Sequence, residues 1–205
     1  KRKRKFSKKF NPYSIIGLPK TYRCSLKYVT QIAIDPTAGL AATHVFSLNA
    51  LNDPDVTGGG HQPRYYDQLN ATYNNYRVVS TAYKITCTNL DSSYAQLVGT
   101  RNHSSSGTDG DENNYLEDKD CKWVQLNPIG GGNATKMIRG TWSARKDFGK
   151  DFMDADYSGI GGSAPTNQQY LHVWAAGNAT SANPSPVSCT VEIMYRCIFS
   201  EQDTP

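Results

Sequence analysis

Apolar residues along this chain recur with a period of two far more often than with a helical period. From Thr21 to Asp35, Tyr22, Cys24, Leu26, Tyr28, Ile32 and Ile34 alternate with Arg23, Ser25, Lys27 and Gln31. That is the pattern of a strand with one buried face and one wet, basic face. Pro36 and Gly39 end it, and Ala42 to Leu51 gives a second strand closed by Asn52-Asp53-Pro54. A glycine turn and Pro63 then precede Arg64 to Tyr73, where Tyr65, Leu69 and Tyr73 share one helical face. Proline suits the first position of a helix because its missing N–H would be unpaired there, so a short helix is expected. From Tyr76 to Asn89 the period returns to two. Val79, Tyr83, Ile85 and Cys87 are expected on one side, and Lys84, Thr86 and Thr88 on the other, in a long strand central to a sheet.

Further strands are expected at Tyr94–Thr100, Cys121–Asn127, Lys136–Lys146, Tyr170–Ala176 and Ser188–Phe199. Within Lys136–Lys146, Ile138, Trp142 and Ala144 alternate with Arg139, Thr141, Ser143 and Arg145. Tyr170–Ala176 is apolar on both faces and should be covered on both. In the last strand Glu192 and Arg196 point outward. Asn102 to Asp120, rich in Ser, Gly, Asp and Asn, reads as a long surface loop. No repeat of 20–50 residues appears, against a propeller or solenoid. The fold class expected is all-β: an eight-stranded antiparallel jelly roll with one short helix and long loops. A lipocalin-like barrel is the structural alternative.

Charge changes the picture at one end only. The net charge of +4 is uneven: seven of the first ten residues are Lys or Arg, and residues 11–205 carry 15 basic against 18 acidic groups. The chain therefore divides into a basic arm, residues 1–19, and a near-neutral body, residues 20–205. Lys1, Arg2, Lys3, Arg4, Lys5, Lys8 and Lys9 are the candidate nucleic-acid-binding residues of the arm, and phosphate neutralisation by them would be sequence-independent and salt-sensitive. The run Lys1, Arg2, Lys3, Arg4, Lys5 also fits a nuclear localisation signal, and a plain solvated tail is the remaining alternative. The five cysteines are odd in number, lack a CxxC pair, and are expected to be reduced and structural. No apolar run reaches the roughly 20 residues of a membrane span.

Little else suggests chemistry. His44, His61, His103 and His172 share no ligand spacing, and His172 reads as a satisfied core residue. Asp109-Gly110-Asp111-Glu112-Asn113 lacks the full calcium-loop pattern. Asp151, Asp154 and Asp156 nominate no acid–base pair. Four Asn-x-Ser/Thr tripeptides, at Asn70, Asn102, Asn133 and Asn178, match the glycosylation pattern, which would matter only in a secreted protein; chance matches are expected in an Asn- and Thr-rich chain. No enzyme activity, metal or cofactor is expected.

Several segments together resemble the capsid proteins of circovirus-like viruses, which carry circular single-stranded DNA and encode a replication protein. After the basic arm come Leu51-Asn52-Asp53-Pro54, Gly59-Gly60-His61-Gln62-Pro63-Arg64, Tyr66-Asp67-Gln68 and Tyr76-Arg77-Val78. Gly140-Thr141-Trp142-Ser143 through Gly149, Gln169 to Asn178, and Thr190 to Phe199 complete the set. The resemblance implies two four-stranded sheets, with predicted strands one, eight, three and six in one and two, seven, four and five in the other. It also implies a closed T=1 icosahedral shell of about sixty copies, joined by contacts that close into rings, around single-stranded DNA. Expected partners are other copies of the chain, the viral DNA, host nuclear import factors and a cell-surface receptor; the expected locations are the virion and the host nucleus.

Simple arithmetic extends the site. Seven arm charges on about sixty copies give about 420 positive charges. Encoding 205 residues alone takes about 615 nucleotides, and each charge offsets roughly one phosphate. Either more basic residues precede Lys1 or the inner wall contributes. Arg23, Lys27, Lys84 and Arg196, on the wet faces of their strands, are the wall candidates, against the alternative of ordinary solvated charges. Competing functions are a jelly-roll attachment or lectin-like module with a basic tail, the coat protein of a small RNA virus, and a glycosidase-like enzyme on a sandwich scaffold.

Overall fold

The computed structural model describes residues 19–149, 154–178 and 183–202. Nine strands form two antiparallel sheets that face each other. They are β1 (Thr21–Ile34), β2 (Ala42–Ser47), β3 (Tyr73–Asn89), β4 (Gln96–His103), β5 (Lys122–Leu126), β6 (Thr135–Ser143), the two-residue β7 (Gly159–Ile160), β8 (Tyr170–Gly177) and β9 (Val187–Gln202). The first sheet runs β1-β9-β3-β6, with β7 attached to β3; the second runs β2-β8-β4-β5. With β7 set aside, this is the jelly-roll strand order the resemblance implied. Among the described residues no helix is long and apolar enough to cross a membrane.

Alternation builds the core. Leu26, Tyr28 and Ile34 of β1, Tyr83, Ile85 and Cys87 of β3, and Val191, Ile193, Tyr195 and Phe199 of β9 turn inward and are buried. Phe46, Val98, Leu126, Leu171 and Val173 meet them from the second sheet. Burying such side chains is worth about 1.5–3 kcal/mol each before the entropy of ordering is counted. Two hydrogen bonds tie the sheets across the core: the Tyr195 hydroxyl donates to the Ser47 carbonyl at 2.7 Å and Thr81 Oγ1 to the Leu48 carbonyl at 2.6 Å.

Three expectations need correction. Val79 does not face inward: pairing of β3 with β9 slips between Val78 and Ser80. One extra residue in a strand shifts the alternation. Val78 and Thr81 are buried, whereas Val79 and Ser80 both stay half-buried toward the outer side.

The described residues also hold three short α-helices rather than one: α1 (Tyr66–Asn70), α2 (Glu112–Leu116) and α3 (Ala144–Phe148), besides a 3-10 turn at Ala155–Tyr157. The α1 helix is shorter than expected because Tyr73 is drawn into β3, where its ring is buried and its hydroxyl donates to the Pro19 carbonyl at 2.9 Å. The α3 helix takes the residues Ala144 to Lys146 that alternation had assigned to a strand, and Phe148 packs edge-on to Trp142. Lastly, the predicted surface loop over 102–120 begins inside β4, contains α2, and folds back on its own subunit. Asp111 accepts from the Asn113 amide at 2.9 Å and caps α2, a side-chain cap of the kind Asp favours.

Candidate nucleic-acid interface

The outer face of the first sheet carries the wall candidates. Inter-strand registers place Arg23 opposite Ile198, Lys27 opposite Met194, Arg196 between Ser25 and Ser80, and Lys84 between Glu192 and Arg139. Arg23, Lys27, Lys84 and Arg196 thus share one face, reached from three adjacent strands, opposite to the core. Arg139 of β6 belongs with them; it is exposed and sits directly across from Lys84. Alternation in β6 turns it outward, a signal already present in the sequence. Arg77 lies on the same side but is engaged, donating to Ser158 Oγ at 2.6 Å and to the Asp154 carbonyl at 3.1 Å. The arm residues Lys1, Arg2, Lys3, Arg4, Lys5, Lys8 and Lys9 lie outside the described residues.

Among the described strand residues of this face, Glu192 is the acid that meets the cations. It stands on β9 between its neighbours, 2.9 Å from Lys27 Nζ on one side and paired with Lys84 on the other. Lys84 and then Lys27 hold its carboxyl down at about 2, so it is ionised at any ordinary pH. The lysines are therefore partly neutralised and held in place. Arg23 and Arg196 have no ion pair among the described residues. They flank an open groove of about 520 Å³, with Ser25, Val79 and Ile198 also lining it. The β-bulge leaves both Val79 and Ser80 on this side.

The second sheet's outer face is covered over β8, although Trp123 of β5 stays exposed. The loop over 104–121 lies across it, and Tyr115 stacks on Trp174 with centroids 5.2 Å apart, forming a second small core with Ala176. Arg101 pins the loop: its guanidinium lies 4.5 Å from the Tyr115 ring centre, 2.9 Å from Asp109 Oδ2 and 3.2 Å from His172 Nδ1. His172 is buried, as expected of a core residue, and its Nε2 sits 2.9 Å from the Ser105 carbonyl. Burial, opposed in part by that carbonyl contact, lowers its pKa to about 4, so it is neutral near pH 7. Asp109, from the segment that superficially resembled a calcium loop, is committed to Arg101 and Asp111 to the α2 cap. Among the described residues no cluster of three His, Cys, Asp or Glu side chains is placed to hold a metal.

The remaining histidines and cysteines are structural in their contacts. His44 Nε2 lies 2.6 Å from Asp55 Oδ1, and His61 bridges the carbonyls of Gln62 and Val29 at 2.8 and 3.0 Å. All five cysteines are free; Cys87 and Cys189 face each other across β3 and β9 with sulfurs 2.9 Å apart. A polar pocket of about 430 Å³ between the loop and α3 is lined by Asp118, Lys119, Lys146 and Asp147 among others, a mixture of signs with no bias toward anions.

No family model matches the chain, and no curated protein matches it in sequence. Its backbone is similar to that of solved virus structures. A tobacco necrosis virus chain superposes with a TM-score of 0.51 at 12% identity, covering 92% of this chain and 86% of that one. The BFDV capsid protein crystallised as a 60-mer gives 0.47 at 12% identity, covering 93% and 98%, and the turnip yellow mosaic virus structure at 100 K gives 0.49 at 9%, covering 91% and 98%. At such identities the similarity is one of fold: this chain shares the two-sheet jelly-roll architecture found in virus shells.

Proposed function

We propose that this chain is a viral coat subunit that assembles with copies of itself and holds the genome against its basic arm and the outer face of its first sheet. The observation that carries the reading is the contrast of the two outer faces. A jelly roll acting as a lone binding module has no need of a long, bare sheet face studded with Arg23, Lys27, Lys84, Arg139 and Arg196. β1 begins at Thr21, two residues before Arg23, so the arm is tethered to the same strand that carries Arg23 and Lys27.

In finer terms, the shell is a T=1 icosahedron of about sixty copies, and the cargo is circular single-stranded DNA of a circovirus-like virus. This follows the Gly60-His61-Gln62-Pro63-Arg64 and Tyr66-Asp67-Gln68 segments. Lys1 to Lys5 would also engage nuclear import factors, giving a nuclear stage before the virion. A packaged RNA is the second reading, because a face of lysines and arginines meets either polyphosphate by charge alone.

The test is to purify the full chain and image it by negative-stain microscopy, then extract and digest the bound nucleic acid. Uniform small spheres containing DNase-sensitive, single-stranded material are expected. RNase-sensitive cargo replaces DNA with RNA in the proposal. A chain that stays monomeric with or without nucleic acid overturns the coat reading.

A further inference from the structure

The basic face is not uniform, and its differences separate one end from the middle. In the middle, Glu192 already occupies Lys27 and Lys84, so a phosphate arriving there must displace a carboxylate that stays ionised. At the end nearest the arm, Arg23 and Arg196 are diagonal neighbours on β1 and β9 with no carboxylate between them. Between them lies an open depression with Val79 and Ile198 among its lining residues. Its volume of about 520 Å³ is within the roughly 300–1,000 Å³ range of small-ligand sites. Two planar cationic forks beside an apolar floor match the two halves of a nucleotide: guanidinium groups pair with phosphate oxygens through forked N–H donors, and a base or sugar face rests on carbon.

We propose that Arg23, Arg196, Val79 and Ile198 form a nucleotide subsite for single-stranded nucleic acid, and that the lysine pair beside it contributes little to binding. This rests on the coat reading and sharpens it. Charge complementarity selects the occupant. The chain's own arm, with seven cations in its first ten residues, would be repelled by two unpaired guanidinium groups, whereas a strand of phosphates is drawn to both. The bulge at Val78/Ser80 sits at this depression, and Val79, the residue it leaves without a register partner on β9, is part of the apolar floor.

The probe is an oligothymidylate carrying 4-thiothymidine, bound to the full chain and irradiated, with the attachment sites mapped by mass spectrometry. Cross-links are expected in the peptides that hold Val79 and Ile198 as well as in the arm. Changing Arg23→Gln together with Arg196→Gln should cut the groove cross-links about tenfold and leave those of the arm. Lys27→Gln with Lys84→Gln should leave the groove signal within about twofold. Cross-links confined to residues 1–19, or equal losses from the two double variants, overturn the subsite. So does a chemical cross-link between an arm lysine and the groove that persists when the oligonucleotide is added. Full shells lacking the groove cross-link reject the subsite alone. An arginine-dependent groove cross-link in a chain that never assembles rejects the coat reading alone.

Discussion

The two sheets of this sandwich turn opposite characters outward. The first leaves its outer face bare, with cations and small polar residues on long paired strands interspersed with exposed Val29, Met137 and Met194. The second hides the β8 part of its outer face beneath 104–121, which supplies Tyr115 to Trp174 and is clamped by Arg101 and His172, and leaves Trp123 of β5 exposed. Both are built by the same antiparallel ladder, so backbone geometry does not make the difference. What differs is whether residues of the second parity are charged, as in β1 and β9, or apolar, as in β8. An apolar outer face needs a cover, and the chain spends a long loop on providing one. A charged outer face can stay open and meet a partner that is itself charged.

This contrast can be broken by mutation. The largest effect is expected at Trp174→Ala, which empties the second core: about 3–5 kcal/mol of stability should be lost in urea unfolding. Replacing Arg23 or Arg139 by Ala should move the same curve by no more than about 0.5 kcal/mol. Equal losses would mean that both faces are structural. Next comes Gly99→Ala. A Cβ at Gly99 would sit 2.5 Å from Trp174 Cε2, so the indole must shift and about 1–3 kcal/mol should be lost.

The covered face should also be sensitive to acid. Burial keeps His172 unprotonated down to about pH 4, below its ordinary value of 6.5. The unfolded chain therefore takes up a proton first, and stability should fall as pH drops from about 6.5 to about 4, then level off. Arg101, His103 and Asp109 surround the ring and modulate the fall. After allowance for residual solvation the change is about 1–2 kcal/mol. His172→Gln should flatten that part of the stability–pH curve, and an unchanged slope would remove His172 as its source.

The smallest stability effect is expected on the bare face, at Glu192→Gln. It frees Lys27 and Lys84, so binding of single-stranded nucleic acid should tighten severalfold, with a steeper salt dependence by about one charge. Weaker binding after this change would show the carboxylate to be an organiser of the face rather than a competitor.

Much of the sandwich was legible because one parity of β1, β3 and β9 is apolar and the other is not. The bare face was legible for the same reason: Arg23, Lys27, Lys84 and Arg196 fell where alternation put them. Val79 was misplaced because a bulge leaves no local mark in a run of Val, Val and Ser; it shows only when the partner strand is seen. Ala144 to Lys146 can continue strand alternation or begin a helix, and only Phe148 docking on Trp142 selects the latter. Glu192 was seen as an outward acid, but its weight came from two lysines on separate strands, a relation that requires the register. The closure of 102–120 over Trp174 was half legible: Tyr170–Ala176 announced that something must cover it, but not what.

The position of β9 between β1 and β3 has a consequence for biosynthesis. Every other strand leaves the ribosome before it, yet the first sheet has no continuous middle until it arrives. Until β9 pairs with both neighbours, Arg23 on β1 and Lys84 on β3 do not share a sheet face. Under the proposed coat function, this ordering delays any organised grip on polyanions until the sandwich can close.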